Sequence, residues 1–273
     1  MKQIIKFPKE VSDKQMEQFF IDRGLKELVR ISKIKNNKID YLNYHAMVVD
    51  KPYKPELRSL YRLFQYITLN KRTTILEFGS GWSTLAFLVA LNENKTKYFN
   101  YVKKYLRRRN PFELFVVENR KKFLNITKKR INEFIKKKVS ISTKFKIHYS
   151  ECQMTTFNGL YATEYNKLPL CNPDFIFLDG PGIFDVKKKI NNFTTAHRDL
   201  MPMSCDILKF EHFLIPKTMI IADGRAANVQ FLRNNFKRKW LYFNDKKYDL
   251  HVFLLNSPSF GNYSNLQSKF YKS

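Results

Sequence analysis

Ile75-Leu76-Glu77-Phe78-Gly79-Ser80-Gly81-Trp82-Ser83-Thr84 is an apolar run that closes on an acid and a Gly-x-Gly turn, and Leu85 to Leu91 continues it at helical spacing. This reads as a buried strand feeding a glycine loop at a helix N-terminus, where backbone N–H groups can approach a ligand closely. Glycine is scarce, with 8 in 273 residues, yet Gly79, Gly81, Gly180, Gly182 and Gly224 all follow strand-like runs. Glycines concentrated at strand ends point to a ligand crevice, because glycine adopts backbone geometries that other residues resist.

Outward from this loop the chain alternates strand and helix, the pattern of a parallel sheet covered on both faces. Strands are predicted at Thr74–Phe78, Glu113–Val117, Phe145–Tyr149, Asp174–Leu178 and Thr218–Ala222, and helices from Ser83 to Leu91, over Lys121–Lys137 and over Ala226–Phe236. Trp240–Phe243 and Asp249–Leu255 read as a closing hairpin-like pair. Before the loop, Ser12 with Gln15 forms a capping box that opens an amphipathic helix through Phe19, Phe20, Leu25, Leu28 and Val29. Pro55 then starts a second helix, running to Leu69. The expected architecture is α/β: a Rossmann-like, doubly wound, mostly parallel seven-stranded sheet with an antiparallel C-terminal strand pair and an N-terminal helical cap. The boundaries read as a cap over 1–54, the main domain over 55–256 with a basic insertion over about 92–110, and a tail over 257–273.

Two cofactor folds compete for the glycine loop. A nicotinamide-type dinucleotide site wants Gly-x-Gly-x-x-Gly/Ala and an acid about 20 residues on. Here the third position is Thr84, and the next strand-end acid, Glu118, lies much further along. The acid-x-Gly-x-Gly pattern and the series Glu118, Asp179, Asp223 instead resemble the class I S-adenosylmethionine-dependent methyltransferases, over about Pro55 to Asn256. The chain looks similar to methyltransferases encoded among surface-polysaccharide genes. This resemblance implies S-adenosylmethionine as cofactor. Glu77, Gly79, Ser80, Gly81, Ser83 and Thr84 would line its methionine and ribose parts, Glu118 with Asn119 would take the ribose hydroxyls, Glu151 and Cys152 would lie at the adenine, and Asp179 would sit at the reacting end. It also implies that helices before the loop cover the cofactor and shape the acceptor pocket. Asp179 and Asp223 resemble the carboxylate pair that holds a divalent cation such as Mg²⁺ in related O-methyltransferases, where the metal would lower the pKa of an acceptor hydroxyl. The chain departs from those families after Asp223, where Gly224 and Arg225 stand in place of Asn or a second Asp.

Without a metal, a base must take the acceptor proton. His197 is one candidate, since imidazole titrates near neutral pH, and Asp179 is the other. Arg225 would anchor an acidic acceptor group through its planar fork. His45, His148, His212 and His251 fit such a role less well. The implied reaction is methylation, most simply O-methylation of a sugar or other small hydroxylated acceptor. The alternatives are an RNA methyltransferase and a non-catalytic methyltransferase-like binding module. Against exocyclic amine methylation, Asp179-Gly180-Pro181-Gly182 is not the Asn/Asp-Pro-Pro-aromatic tetrad.

Composition sets the remaining bounds. Hydrophobic residues at 44% and aromatics at 15% suit a folded core rather than disorder. No apolar run reaches the ~20 residues of a spanning helix, and the N-terminus lacks a signal-peptide core. Cys152, Cys171 and Cys205 fit neither a disulfide framework nor a zinc ribbon, so a cytoplasmic location is expected. The formal net charge is +26, and residues 92–146 carry 18 Lys/Arg against 4 Asp/Glu, interleaved with Tyr98, Phe99, Tyr101 and Tyr105. An anionic partner (an acidic sugar, RNA or a membrane surface) is one explanation. A Lys-, Asn- and Ile-rich composition spread over solvated helix faces is the other.

Overall fold

The computed structural model describes residues 5–34, 53–137, 140–197 and 199–272. A seven-stranded sheet forms the centre. Its strands are β1 (Thr74–Phe78), β2 (Glu113–Glu118), β3 (Lys144–Tyr149), β6 (Phe175–Leu178), β8 (Met219–Asp223), β9 (Trp240–Asp245) and β10 (Leu250–Leu255), in the order β3-β2-β1-β6-β8-β10-β9. The first five strands run parallel; β10 is antiparallel to both β8 and β9. The order reverses between β1 and β6, which makes their carboxyl ends the place for a ligand.

The sequence builds this sheet by alternation on apolar strands buried from both sides. Ile75, Leu114, Val116, Phe175, Phe177, Ile221 and Val252 face one core, whereas Leu76, Phe78, Phe115, Val117, Ile176, Ile220 and Phe253 face the other. The first core is closed by α1 (Asp13–Asp22), α2 (Lys26–Ser32), α3 (Leu57–Leu69), α4 (Trp82–Tyr105) and α5 (Lys121–Lys136). The second is closed by α6 (Asp206–Phe210), α7 (Ala226–Asn235) and a small sheet of β4 (Cys152–Phe157), β5 (Leu160–Tyr165) and β7 (Val186–Lys187), in the order β5-β4-β7. The second face is therefore covered partly by strands, which the strand–helix alternation did not foresee.

Three other expectations are corrected. The Ser12–Gln15 capping box is present, but Gly24 at φ +76° ends α1, so one expected helix is two. The helix after the glycine loop does not stop at Leu91; it runs to Tyr105 and absorbs most of the stretch expected as an insertion. Residues 257–273 hold a helix, α8 (Asn262–Lys272), whose Phe270 and Tyr271 are buried against Val102, Leu106 and Phe112. Tyr271 Oη donates to Asp174, a buried carboxylate that also accepts from the backbone N–H groups of Thr73 and Thr74. His45 lies outside the described residues.

Candidate active site at the carboxyl ends of the parallel strands

Four adjacent strands, β2, β1, β6 and β8, each close on an acid: Glu118, Glu77, Asp179 and Asp223. The parallel register aligns Phe78 with Val117 and Leu178, and Leu178 with Ala222, so Glu118, Asp179 and Asp223 end their strands level with one another, while Glu77 lies two residues earlier along β1, opposite Val116 and Phe177. Burial raises the pKa of all four: Glu77 to about 8, Asp223 to about 7, Asp179 to about 6, and Glu118 above the ordinary carboxylate value. Their mutual repulsion adds to burial at Glu77 and Asp223, where Asp179 contributes to both. Asp179 is surrounded by protein yet reached by solvent, the situation of a side chain on the floor of an open cleft.

The glycine loop sets two of these acids. Ser83 Oγ donates to Glu77 Oε1 at 2.5 Å, and Ser80 Oγ donates to Glu118 Oε2 at 2.7 Å. Glu118 Oε1 accepts from the Arg120 N–H at 2.7 Å, so this carboxylate also caps the start of α5. The Gly81 N–H donates to Thr84 Oγ1 at 3.0 Å, closing the first turn of α4. The hydroxyls expected to line a cofactor thus spend a hydrogen bond each on shaping the loop. Glu77 Oε2 is different: it is buried and has no hydrogen-bond partner. An unsatisfied buried polar atom costs about 1–3 kcal/mol, which makes this oxygen a candidate contact for a ligand.

The close approach of β1 and β6 explains two of the glycines. Gly79 has φ +97°, a conformation that disfavours side chains, and a Cβ there would lie 3.3 Å from the Asp179 carbonyl carbon. A Cβ on Gly180 would lie 2.6 Å from Tyr165 Oη and 3.0 Å from the Gly79 nitrogen. Tyr165, from β5, is a site residue that the sequence reading missed. Its hydroxyl is buried beneath this contact without a partner, and burial raises its pKa well above the usual phenol value. No motif marks it, because only the small sheet brings it there.

Arg225, expected to reach an acidic acceptor, is instead turned inward and only 7% exposed. One of its Nη atoms donates to the Pro181 carbonyl at 3.1 Å, while Nε is buried without a partner. Its charge favours the ionised form of Asp179. Asp223 meets no third ligand: among the described residues no group of three or more His, Cys, Asp or Glu side chains is disposed to hold a metal ion. His197 is exposed, and its Nδ1 accepts from the Asp199 N–H at 3.2 Å. The hydrogen bond from Thr195 Oγ1 to the Ile183 carbonyl brings its segment to the loop after Gly182, but no interaction of the imidazole with the four acids is present among the described residues.

The remaining expected residues frame the cleft. Asn119 Nδ2 donates to the Asp185 carbonyl at 3.3 Å, and Arg120 Nε pairs with Asp185 Oδ2 at 2.5 Å, so the start of α5 is strapped to the loop that follows Gly182. Glu151 is exposed between β3 and β4. Cys152 opens β4 rather than lying in a loop; its thiol is buried in the second core and raised in pKa by that burial, leaving its backbone for any contact with a ligand. The basic stretch Lys103–Arg109 is not at this cleft. It leads into the N-terminal end of β2, and Phe112 hydrogen-bonds there to Thr73, ahead of β1.

No protein-family model matches the chain, and no curated protein matches it. Solved structures with a similar course include an O-methyltransferase from Bacillus cereus in complex with SAH, at 15% identity and TM-score 0.42, covering 89% of this chain and 97% of that one. Another is the O-methyltransferase TomG from Streptomyces achromogenes, involved in tomaymycin synthesis and in complex with SAM, at 12% identity and TM-score 0.38, covering 92% of each chain. Both likenesses are distant, and the reading of the site rests on its own geometry.

Proposed function

We propose that the chain is an S-adenosylmethionine-dependent methyltransferase that transfers a methyl group to a hydroxyl of a sugar or similar small acceptor. One observation carries this reading: at the strand switch four acids, Glu77, Glu118, Asp179 and Asp223, gather around a glycine loop whose Gly79 lies against Gly180. Such a cleft favours a cationic ligand. It would repel the pyrophosphate of a dinucleotide, which wants helix N–H groups free of neighbouring acids.

The residues fit the cofactor. Glu77 Oε2, buried and unpartnered, would accept from its ammonium. Glu118, fixed by Ser80 and the Arg120 N–H, keeps lone pairs on both oxygens for two ribose hydroxyls. The Gly79–Gly180 contact leaves no side chain between β1 and β6. When bound, S-adenosylmethionine supplies an electrophilic methyl group on a positive sulfur.

The chain's part is to hold the acceptor and remove its proton. Asp179, reached by solvent and titrating at about 6, is mostly ionised at neutral pH and is the base we assign. Arg225 fixes the Pro181 carbonyl behind it and favours its charge. His197 is the second candidate base, and it requires the acceptor to bridge from the cleft to the loop. Asp179 and Asp223 would face a hard cation as a pair.

Calorimetric titration with S-adenosylhomocysteine, with NAD in parallel, tests the proposal. Micromolar binding of the first alone is expected, and Glu118→Ala should weaken it by about ten-fold or more, the scale of a lost charged hydrogen bond. Binding of NAD alone would mean that the glycine loop serves a dinucleotide. Binding of neither would favour a non-catalytic module. Once an acceptor is found, Asp179→Asn should abolish turnover and His197→Ala should spare it.

A further inference from the structure

At the opposite end of the sheet, where the parallel strands begin, three separate segments present apolar side chains to solvent. Leu170, before β6, is 97% exposed; Phe213, before β8, is 76% exposed; Phe260 and Tyr263, at the start of α8, are 84% and 59% exposed. Folding gains nothing from a leucine left almost wholly in water, so its burial must come from elsewhere or not at all. Scattered apolar residues need no explanation, but these are tied into one face. Asn110 donates to the Leu170 carbonyl, Arg108 to the Asn172 carbonyl, and Asn172 to the Phe213 carbonyl, while the Arg107 guanidinium lies over the Tyr263 ring.

The rim of this face is basic. Residues 98–112, 165–173, 209–217 and 257–272 contain one acid, Glu211, which is buried and accepts from Trp240 Nε1 and the backbone of Lys237 and Arg238. Lys103, Lys104, Arg107, Arg109 and Lys269 are all exposed.

We infer that this face docks the protein on an anionic lipid bilayer, the apolar tips entering the headgroup region and the basic rim meeting lipid phosphates. Apolar side chains among Lys and Arg are the composition of interfacial membrane binding. RNA binding fits less well: single strands are held in grooves by flat aromatic platforms, whereas Leu170 offers no ring and the tips come from loops and a helix end rather than a groove. A second copy fits less well too, since two such basic faces repel. Among the described residues no helix is long and apolar enough to cross a membrane, so the attachment is peripheral. The inference is independent of the reaction proposed for the crevice, which lies at the other end of the strands and stays open to solutes in this orientation.

Flotation with vesicles of equimolar phosphatidylglycerol and phosphatidylcholine tests it, using the full-length protein. Binding to these vesicles, weakened by salt and lost on pure phosphatidylcholine, is expected. The variant Leu170→Ser/Phe213→Ser/Phe260→Ser should bind about ten-fold more weakly or worse, with a nearly unchanged circular dichroism spectrum and melting temperature, because all three side chains are mostly exposed. Arg107→Gln/Arg109→Gln should weaken binding in the same direction. Absence of binding at low salt, or full binding by the triple variant, would overturn the inference. So would dimerisation of the wild type that the triple variant abolishes without vesicle binding, or binding of a random single-stranded RNA, but not of vesicles, that these substitutions abolish.

Discussion

Glu77 is the residue in which fold and ligand are most directly opposed. It is buried, one oxygen is satisfied by Ser83 and the other by nothing, and its pKa stands at about 8 against an ordinary 4.5. Asp223 and Asp179 share the condition, at about 7 and 6 against 3.8. A carboxyl raised in the folded state holds protons that the unfolded chain has released. Its contribution is therefore fully present below the ordinary value and is lost as pH rises through the folded one. The ligand-free protein should lose stability between about pH 4 and pH 8 and level off above. Glu77→Gln should flatten the upper part of that decline, since it keeps the hydrogen bond from Ser83 without the charge. Thermal melts of both proteins across the window check this, and parallel curves would remove Glu77 from the titrating set. The same substitution should weaken S-adenosylhomocysteine if, as proposed, the Glu77 carboxylate receives its ammonium.

The loop between β1 and α4 and the loop after β6 act as one element, because their backbones touch. Gly180→Ala would drive a methyl group to 2.6 Å from Tyr165 Oη with the Gly79 backbone on the other side, so a loss of about 1–3 kcal/mol is expected, the range for overpacking a filled site. Gly81→Ala is the contrast. Its φ of −177° suits any residue, and an added Cβ would meet nothing nearer than Ser83 Oγ at 3.9 Å. It should cost at most about 1 kcal/mol as an N-cap change, yet reduce cofactor affinity by crowding the cradle. Denaturant melts and calorimetry on the two variants separate the effects; equal stability losses would mean that the loops are not in contact. Much of this element was legible in the sequence, since a buried strand, its terminal acid and a Gly-x-Gly turn are local signals, and the ends of β1 to β3, β6 and β8 came within a residue or two. What escaped notice is non-local. Gln153 to Thr163 alternate weakly and carry little apolar run, so β4 and β5 left no periodic trace, and Tyr165 came into the site unannounced. Arg225 was misplaced for a related reason: a guanidinium after a strand-end acid reads as solvent-facing, and only the packing of Pro181 shows it turned inward.

Across the whole molecule, the two ends of the sheet have opposite electrical characters: acids gather where the parallel strands finish, and bases where they begin. A net charge of +26 says nothing of this separation, and the sequence, which put the excess in residues 92–146, did not show at which end of the sheet it lies. The start of the sheet is also where the C-terminal helix is fastened. Asp174 receives the N–H groups of Thr73 and Thr74 and the hydroxyl of Tyr271, while the guanidinium of Arg72 spans the carbonyls of Asp174 and Lys217. The helix α8 is therefore a closing piece of the fold, although residues 257–273 read as a tail because Phe260, Tyr263, Leu266, Phe270 and Tyr271 are scattered through an otherwise polar run. Tyr271→Phe should cost about 1–3 kcal/mol, because the hydroxyl both donates to Asp174, which keeps other donors, and accepts from the buried Gln267 amide, which loses that partner. Deleting 257–273 should cost more, since two buried aromatic side chains are lost and Val102, Leu106 and Phe112 are laid open. For a chain of this size that lowers the melting temperature by about 10 °C. Because the crevice lies at the far end of the strands, the truncated protein that remains folded should bind S-adenosylhomocysteine as the whole chain does. A truncated protein as stable as the full one would show that α8 is only laid on the surface, and one that is folded but fails to bind would show that the two ends are coupled through the sheet.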